Sequence, residues 1–371
     1  MAMRTKPPFR ADHVGSLIRP PKLAALRAAY KRKEISKAVL KETQDAAIRD
    51  VVKLQEDVGL KSITDGEFQR DWFHVDFLQE IENITVVPPS MTLRFHTHDH
   101  DIDVVAPGLR VDGKLKRTHP IFVDHFKTLK PFVHETPKMT LPSPSTVHFR
   151  GGRKAINEQA YPDLAEFYAD LARVYREEIA DLAEAGCRYL QLDEVNLAFL
   201  CDPKLRDQVR NIGENPETLP KTYASLINAA IGSRPSDMVV CMHLCRGNFR
   251  GAWLAEGGYD PVAEVLFNEV AVDGFFLEYD SPRAGSFEPL RFVPKGKTIV
   301  LGLVTTKLGK LETKDELKRR IEEASRYIPI EQLAISPQCG FASAIEQNVV
   351  QVEDQIAKLR LVVEVAQEVW G

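Results

Sequence analysis

The chain has 371 residues, and 49 Lys plus Arg against 53 Asp plus Glu give a net charge of -4. That near balance provides no basic face for nucleic acid or for an anionic membrane surface. No run approaches the roughly 18 apolar residues of a membrane span, and the start, MAMRTKPPFRADHVGS, lacks the apolar core of a signal peptide, so a cytoplasmic protein is expected. Five cysteines, an odd and low number, argue against a disulfide framework in a reducing compartment and leave thiols for packing, metal or nucleophilic work.

In chain order, short β-branched or apolar runs ending in polar residues predict strands at Phe9 to Val14, Ser62 to Asp65, Met139 to Ser145, Tyr189 to Asp193, Met238 to His243, Gly274 to Glu278, Thr298 to Val304 and Gln332 to Ser336. Between them, apolar positions three and four apart predict helices such as Glu42 to Val58, Asp163 to Ala185 and Lys314 to Tyr327. This alternation implies parallel βαβ units. Eight such units fit a (β/α)8 TIM-type barrel over residues 1–371 as a single domain, with a doubly wound open sheet as the competitor. The barrel is preferred because nearly every run ends in His, Ser, Asp, Glu or Cys, and a barrel gathers all its C-terminal strand ends at one mouth.

Two stretches depart from the pattern. Residues 82–137, after the second strand, are far longer than a βα connection, and Val111-Asp112-Gly113-Lys114 suggests a two-residue hairpin turn. An inserted excursion over the barrel mouth is expected there. Cys201 to Pro235 is expected to be a long loop plus a helix.

The chemistry concentrates at three strand ends. Met238-Val239-Val240-Cys241-Met242-His243-Leu244-Cys245 carries a strand into a His-x-Cys pair whose side chains share one face. Glu278 ends the sixth run, and Cys339 with Gly340 follows the eighth. His243, Cys245, Glu278 and Cys339 together offer the N, S and O donors that zinc accepts. Two thiolates and a carboxylate around Zn2+ give a formal charge of 2 minus 3, or -1, which makes the ion a poor carbonyl activator. Such a site can hold a substrate thiol as an electron-rich thiolate, so S-alkylation is expected.

These residues resemble the catalytic domain of cobalamin-independent methionine synthase, in the form of its short single-domain relatives. The likeness runs through Val14-Gly15-Ser16, Asp65-Gly66-Glu67, Leu192-Asp193-Glu194, His243, Cys245, Glu278 and Cys339, with a last spacing of 339 minus 278, or 61. It implies that Gly15 and Ser16 receive the homocysteine carboxylate, that Glu67 and Asp193 pair with its ammonium group, and that zinc is the cofactor. It also implies a methyl donor, methyltetrahydrofolate or another, yet the family's folate contacts are altered. Its acidic residue six after the Asp193 position falls on Phe199, and its pteridine-stacking Trp falls near Phe149 or Arg150. Its proton-donating histidine falls on Lys307, which either acts as a tuned acid or binds an anionic group of another donor.

Other signals carry less. His96-Thr97-His98-Asp99-His100-Asp101 looks like a polar rim strand, and Gly151-Gly152 like a flexible turn. Cys187 is expected to be packed and Cys201 inert. Trp72 and Phe73 are candidate pocket walls. The expected activity is methyl transfer to homocysteine, giving methionine. The alternatives are alkylation of another thiol, as in epoxyalkane:coenzyme M transferase-like enzymes, and a barrel in which zinc only staples strands.

Overall fold

The computed structural model describes residues 3–88, 92–97, 99–105, 107–342 and 349–371. Its strands, from the N-terminus, are β1 (Ser62–Ile63), β2 (Glu82–Val87), β3 (Thr92–His96), β4 (Asp101–Val105), β5 (Gly108–Lys116), β6 (Thr136–Pro142), β7 (Tyr189–Glu194), β8 (Val239–Leu244), β9 (Gly274–Glu278), β10 (Thr298–Val304) and β11 (Leu333–Pro337). β1 and β6 to β11 form one seven-stranded sheet in chain order, parallel throughout. Strands β7, β9, β10 and β11 are buried along their whole length, as a parallel sheet covered on both faces requires.

Helices form where periodicity and caps coincide. Leu164–Glu184 starts at Asp163, whose carboxylate accepts from the Ala165 N–H at 2.8 Å. Lys314–Ala324 starts in a capping box between Thr313 and Glu316. The stretch expected as one loop plus a helix holds two helices, Pro203–Asn211 and Leu219–Ile231, because Asp202 caps the first through the Lys204 N–H at 2.8 Å. No described helix is long and apolar enough to cross a membrane.

The expected first strand, Phe9 to Val14, does not form a regular ladder. Only Ala11 bridges Ile335 of β11, with Asp12 N–H donating to the Ile335 carbonyl at 3.1 Å and Ile335 N–H to that of Arg10 at 2.9 Å. The cause is Asp12, whose carboxylate accepts from the backbone N–H groups of Phe9 (3.1 Å) and His13 (2.8 Å) and so competes with the ladder. Side chains close the barrel instead. Ser62 Oγ donates to Asp12 at 2.7 Å, the His13 ring meets the Ser62 carbonyl at 2.9 Å, and Gln191 Nε2 donates to the Val14 carbonyl at 2.7 Å. The eighth position is thus filled by a segment pinned from within, and the fold is an α/β barrel. Its interior layer includes Val14, Tyr189, Cys241, Phe276, Val300 and Ala334.

Between β1 and β6, β2 pairs with β5 and β3 with β4, both antiparallel. Asp112-Gly113 is not the hairpin turn expected from its sequence, since β5 runs straight through it. The glycine serves a close approach. The β2–β5 register shifts next to Asn83, which sits at φ 71°, and a Cβ on Gly113 would lie 3.1 Å from the Asn83 side chain. Between β3 and β4, Thr97 Oγ1 accepts from the His100 N–H at 2.9 Å. β6 begins at Thr136, inside the 82–137 stretch assigned to the excursion. The β3–β4 hairpin is bonded to the segment beyond β8 through His96 and Trp253 (2.7 and 2.9 Å). There Phe95 and Val104 pack with Leu205, Ala252 and Leu254.

Candidate metal centre

Parallel register brings the predicted ligands to one level. His243 of β8 stands beside Asp193 of β7 and Phe276 of β9, Glu278 ends β9 opposite Gly302 of β10, and Cys339 lies two residues beyond β11. The four ligand atoms of His243, Cys245, Glu278 and Cys339 lie within 4.8 Å of one another, and all four residues are buried. The two sulfurs are 3.5 Å apart. Neither ring nitrogen of His243 nor Oε2 of Glu278 has a hydrogen-bond partner among the described residues. Buried polar atoms are seldom left so, and a tetrahedral N, O, S, S cation site would satisfy all of them, so this donor set fits zinc.

The surroundings orient the set. Glu278 Oε1 accepts from the Arg246 N–H at 2.8 Å, with Arg283 3.6 Å from Oε2, and Cys245 Sγ accepts from the Gly247 N–H at 3.3 Å. The hydrogen bond to Cys339, then burial, holds the Cys245 thiol well above its ordinary range. The same bond, helped by His243, holds Cys339 well below. Burial pushes the Glu278 carboxyl up against the pull of Lys307. Burial alone would lower His243, but the nearby Cys339 sulfur outweighs it and raises the imidazole without the alignment of a hydrogen bond. Lys307 lies on the ligand side of the site. It is 2% exposed, and its Nζ donates to the Gly247 carbonyl at 3.1 Å.

A cleft of about 830 Å³ opens on this cluster, lined by His243, Cys245 and Cys339 together with Ser16, Glu67 and Asp193. Gly15 lies behind Ser16 at φ 133°, where a Cβ would come within 2.9 Å of Thr140 Cγ2. Glu67 is held in the left-handed region at φ 62° by Arg19, which donates to its carbonyl at 3.0 Å, and by Thr140, which donates to its Oε1 at 2.9 Å. Its Oε2 has no hydrogen-bond partner among the described residues. A strained, non-glycine backbone presenting an open carboxylate oxygen is characteristic of a binding position. Asp193 accepts from Gln191 at 2.7 Å, and burial with the neighbouring Glu67 charge raises its carboxyl to about 7. Two buried acids facing one space form a receptor for a cation. Trp72, Phe73, Phe95 and Phe249 wall the cleft.

The remaining candidates lie elsewhere. His96 pairs with Asp101 at 2.8 Å on the rim, and His98 lies outside the described residues. Gly152–Ala155 is a short 3-10 helix rather than a free turn. Cys187, Cys201 and Cys241 are buried away from the cluster, and burial pushes Cys187 to about 12 and Cys201 to about 11. Sequence reasoning missed two residues of the cleft, His74 and the cationic role of Arg150. No periodicity marks His74, which is buried with no hydrogen-bond partner for either ring nitrogen among the described residues. Arg150 and Phe199 also line an adjoining cleft of about 1340 Å³.

Comparison with known proteins identifies a family. The family model described as the cobalamin-independent synthase catalytic domain matches residues 9–368. The uncharacterized protein YxjH of Bacillus subtilis is 44% identical over 372 residues, covering 98% of this chain and 96% of that one. A methionine synthase of Pyrococcus abyssi is 26% identical over 327 residues, 86% of this chain and 83% of that one. Among solved structures, one from Listeria monocytogenes, assigned as a vitamin-B12-independent methionine synthase, superposes with a TM-score of 0.77 at 37% identity and 98% coverage of both chains.

Proposed function

The chain belongs to the cobalamin-independent synthase catalytic-domain family, a methionine synthase-like group of methyltransferases, and on that premise we propose that it transfers a methyl group to the thiol of homocysteine, giving methionine. The observation that carries the reading is the placement of two acids beside a zinc-type ligand set in one cleft. His243, Cys245, Glu278 and Cys339 would hold the ion, which when bound supplies a Lewis acid that favours the deprotonated thiol.

The chain's own residues do the rest. Glu67 and Asp193 take the substrate ammonium, and Ser16 with the Gly15 backbone takes its carboxylate, fixing the amino acid at both ends so that its thiol points at the ligand cluster. The aromatic walls exclude water, which strengthens each of these contacts. Lys307, whose Nζ donates to the Gly247 carbonyl, stands beside the ligand set.

Zinc-loaded protein supplied with homocysteine and a panel of methyl donors should form methionine. Failure with every donor, joined to absence of homocysteine binding by calorimetry, would sink the assignment. Glu67→Gln should raise the homocysteine KM about 10- to 100-fold, the value of one charge-assisted hydrogen bond, with a smaller change in kcat. A KM within twofold of the parent's would remove Glu67 from the ammonium site.

Gly340 gives a second handle on the same geometry. A Cβ there would sit 1.9 Å from Ser16 Oγ, so the glycine after Cys339 is what lets Ser16 reach the cleft. Gly340→Ala should displace Ser16 and lower kcat/KM for homocysteine by about 10- to 100-fold, in keeping with the cost of misplacing a positioning group by an ångström. Unaltered kinetics at full zinc content would show that Ser16 does not touch the substrate.

A further inference from the structure

Glu67 stands close to a buried cation with which it makes no direct hydrogen bond. Arg70, three residues on, is fully buried, and its Nη1 lies 3.6 Å from Glu67 Oε1, beyond hydrogen-bond distance. An arginine and a carboxylate this close, both out of water, commonly join in a two-bond fork that occupies both carboxylate oxygens. Thr140 of β6 stands in the way. Arg70 Nη2 donates to the Thr140 carbonyl and to its Oγ1, both at 2.9 Å, and the guanidinium makes no other hydrogen bond among the described residues. Phe122 backs the group, with Arg70 Cζ 4.5 Å from the ring centroid.

The direction of the hydroxyl follows from the donors available. A guanidinium only donates, so Thr140 Oγ1 accepts from Arg70 and must give its one proton elsewhere. It gives it to Glu67 Oε1 at 2.9 Å. With Oε1 engaged, Oε2 has no hydrogen-bond partner among the described residues, on a side chain that lines the cleft. Arg19 has a different task, since it donates to the Glu67 and Arg70 carbonyls at 3.0 and 3.2 Å and so holds the backbone. One arginine fixes the chain, and the other fixes the carboxylate through Thr140.

We propose that Thr140 is a positioning residue that makes this cleft selective for a thiol carrying an ammonium group: its hydroxyl, oriented by Arg70, keeps Glu67 from closing onto the guanidinium and leaves Oε2 for the substrate. The proposal rests on the reading of the first cleft given above. Without the hydroxyl, Glu67 is free to turn both oxygens to Arg70, and a carboxylate occupied in that way no longer receives a cation from the cleft. The thiol and carboxylate ends of the substrate do not depend on this bond. Selectivity for the ammonium, rather than affinity for thiols in general, is what Thr140 controls.

The probes are homocysteine and 4-mercaptobutanoate, which keeps the thiol and the carboxylate and lacks the ammonium. By calorimetry, zinc-loaded parent protein should bind homocysteine at least about tenfold more tightly. Thr140→Val, which keeps the branched shape and removes the hydroxyl, should weaken homocysteine about tenfold, the value of one charge-assisted contact, and leave 4-mercaptobutanoate within about twofold. Thr140→Ser, which keeps the hydroxyl, should stay within about threefold of the parent for both. On a Glu67→Gln background, Thr140→Val should cost homocysteine no more than about twofold further, because the charge it positions is already gone. Thr140 Cγ2 also lies next to Gly15, so a variant that merely loosened the site would disturb the carboxylate end and weaken both thiols alike. Such equal weakening, undiminished homocysteine affinity in Thr140→Val, a Thr140→Ser variant as weak as Thr140→Val, or the whole loss repeated on the Glu67→Gln background would overturn the proposal. A parent protein that binds the two thiols equally would instead overturn the reading of Glu67 and Asp193 as the ammonium site.

Discussion

Cys339→Ser is expected to lose its zinc on dialysis and, with it, essentially all thiol methylation. The substitution replaces a soft thiolate by a hydroxyl in a buried four-ligand set. Changes to groups one shell further out already cost 10- to 100-fold in metal affinity, so removing a ligand should cost more than about a hundredfold. The fold should survive, because Cys339 lies past the end of β11 and the barrel interior does not use it. Cys187→Ser is the control. That thiol is fully buried against the Tyr189 carbonyl at 3.4 Å, so stability should fall by about 1 to 3 kcal/mol while zinc content stays unchanged. Metal analysis of both variants after dialysis decides it: full occupancy in Cys339→Ser, or metal loss in Cys187→Ser, would refute the ligand set.

The second large effect is on folding. Asp12→Ala should destabilise the protein by about 3 to 5 kcal/mol, the cost of breaking a buried ion pair from one side. Asp12 is fully buried, 3.2 Å from Lys138 Nζ, and accepts from Tyr189 Oη at 2.8 Å and Ser62 Oγ at 2.7 Å. Without it Lys138, itself fully buried in its side chain, keeps the His13 carbonyl and the faces of Tyr189 and Phe276 but no negative charge. Urea denaturation should show the loss. Adding Lys138→Met should restore part of it, since removing both charges spares the unpaired ammonium. A double variant no more stable than Asp12→Ala would mean that Asp12 acts through its hydrogen bonds rather than through the Lys138 charge.

The barrel was legible because its signals are local. Runs such as Thr298 to Val304 and helix caps such as Asp163 and Thr313 act over a few residues, and their spacing is what the sequence displays. The clustering of His243, Cys245, Glu278 and Cys339 was legible for a related reason. A strand end sets which way a side chain faces, so His243 and Cys245 declare a shared direction, and Glu278 and Cys339 follow from the same rule on other strands. What stayed hidden depends on distant partners. Asp12 reads as one more polar residue in an apolar run, and only its contacts with residues 50 to 177 positions away make it the closing pin. Asp112-Gly113 is a turn by composition and a strand by context, because Asn83 on a neighbouring strand takes up the space the glycine leaves. Arg150 was visible only as a place where an expected aromatic was missing. Its place at the junction of two clefts is set by residues distant in the chain, which a sequence does not display.

The separation of the ligands along the chain also has a consequence in time. Cys339 lies 94 residues beyond Cys245. At roughly 5 to 20 residues per second of translation, the His243 and Cys245 pair emerges about 5 to 20 s before its partner thiol. During that interval the nascent chain offers at most His243, Cys245 and then Glu278 of the proposed four-ligand set. Ser16 waits longer still, since Gly340 and the backbone bond from Phe341 to Ser16 at 2.9 Å form only when the final strand docks. With the proposed ligand set, secure capture of an ion would wait for Cys339, so a chain terminated before that residue would release its ion rather than sequester it.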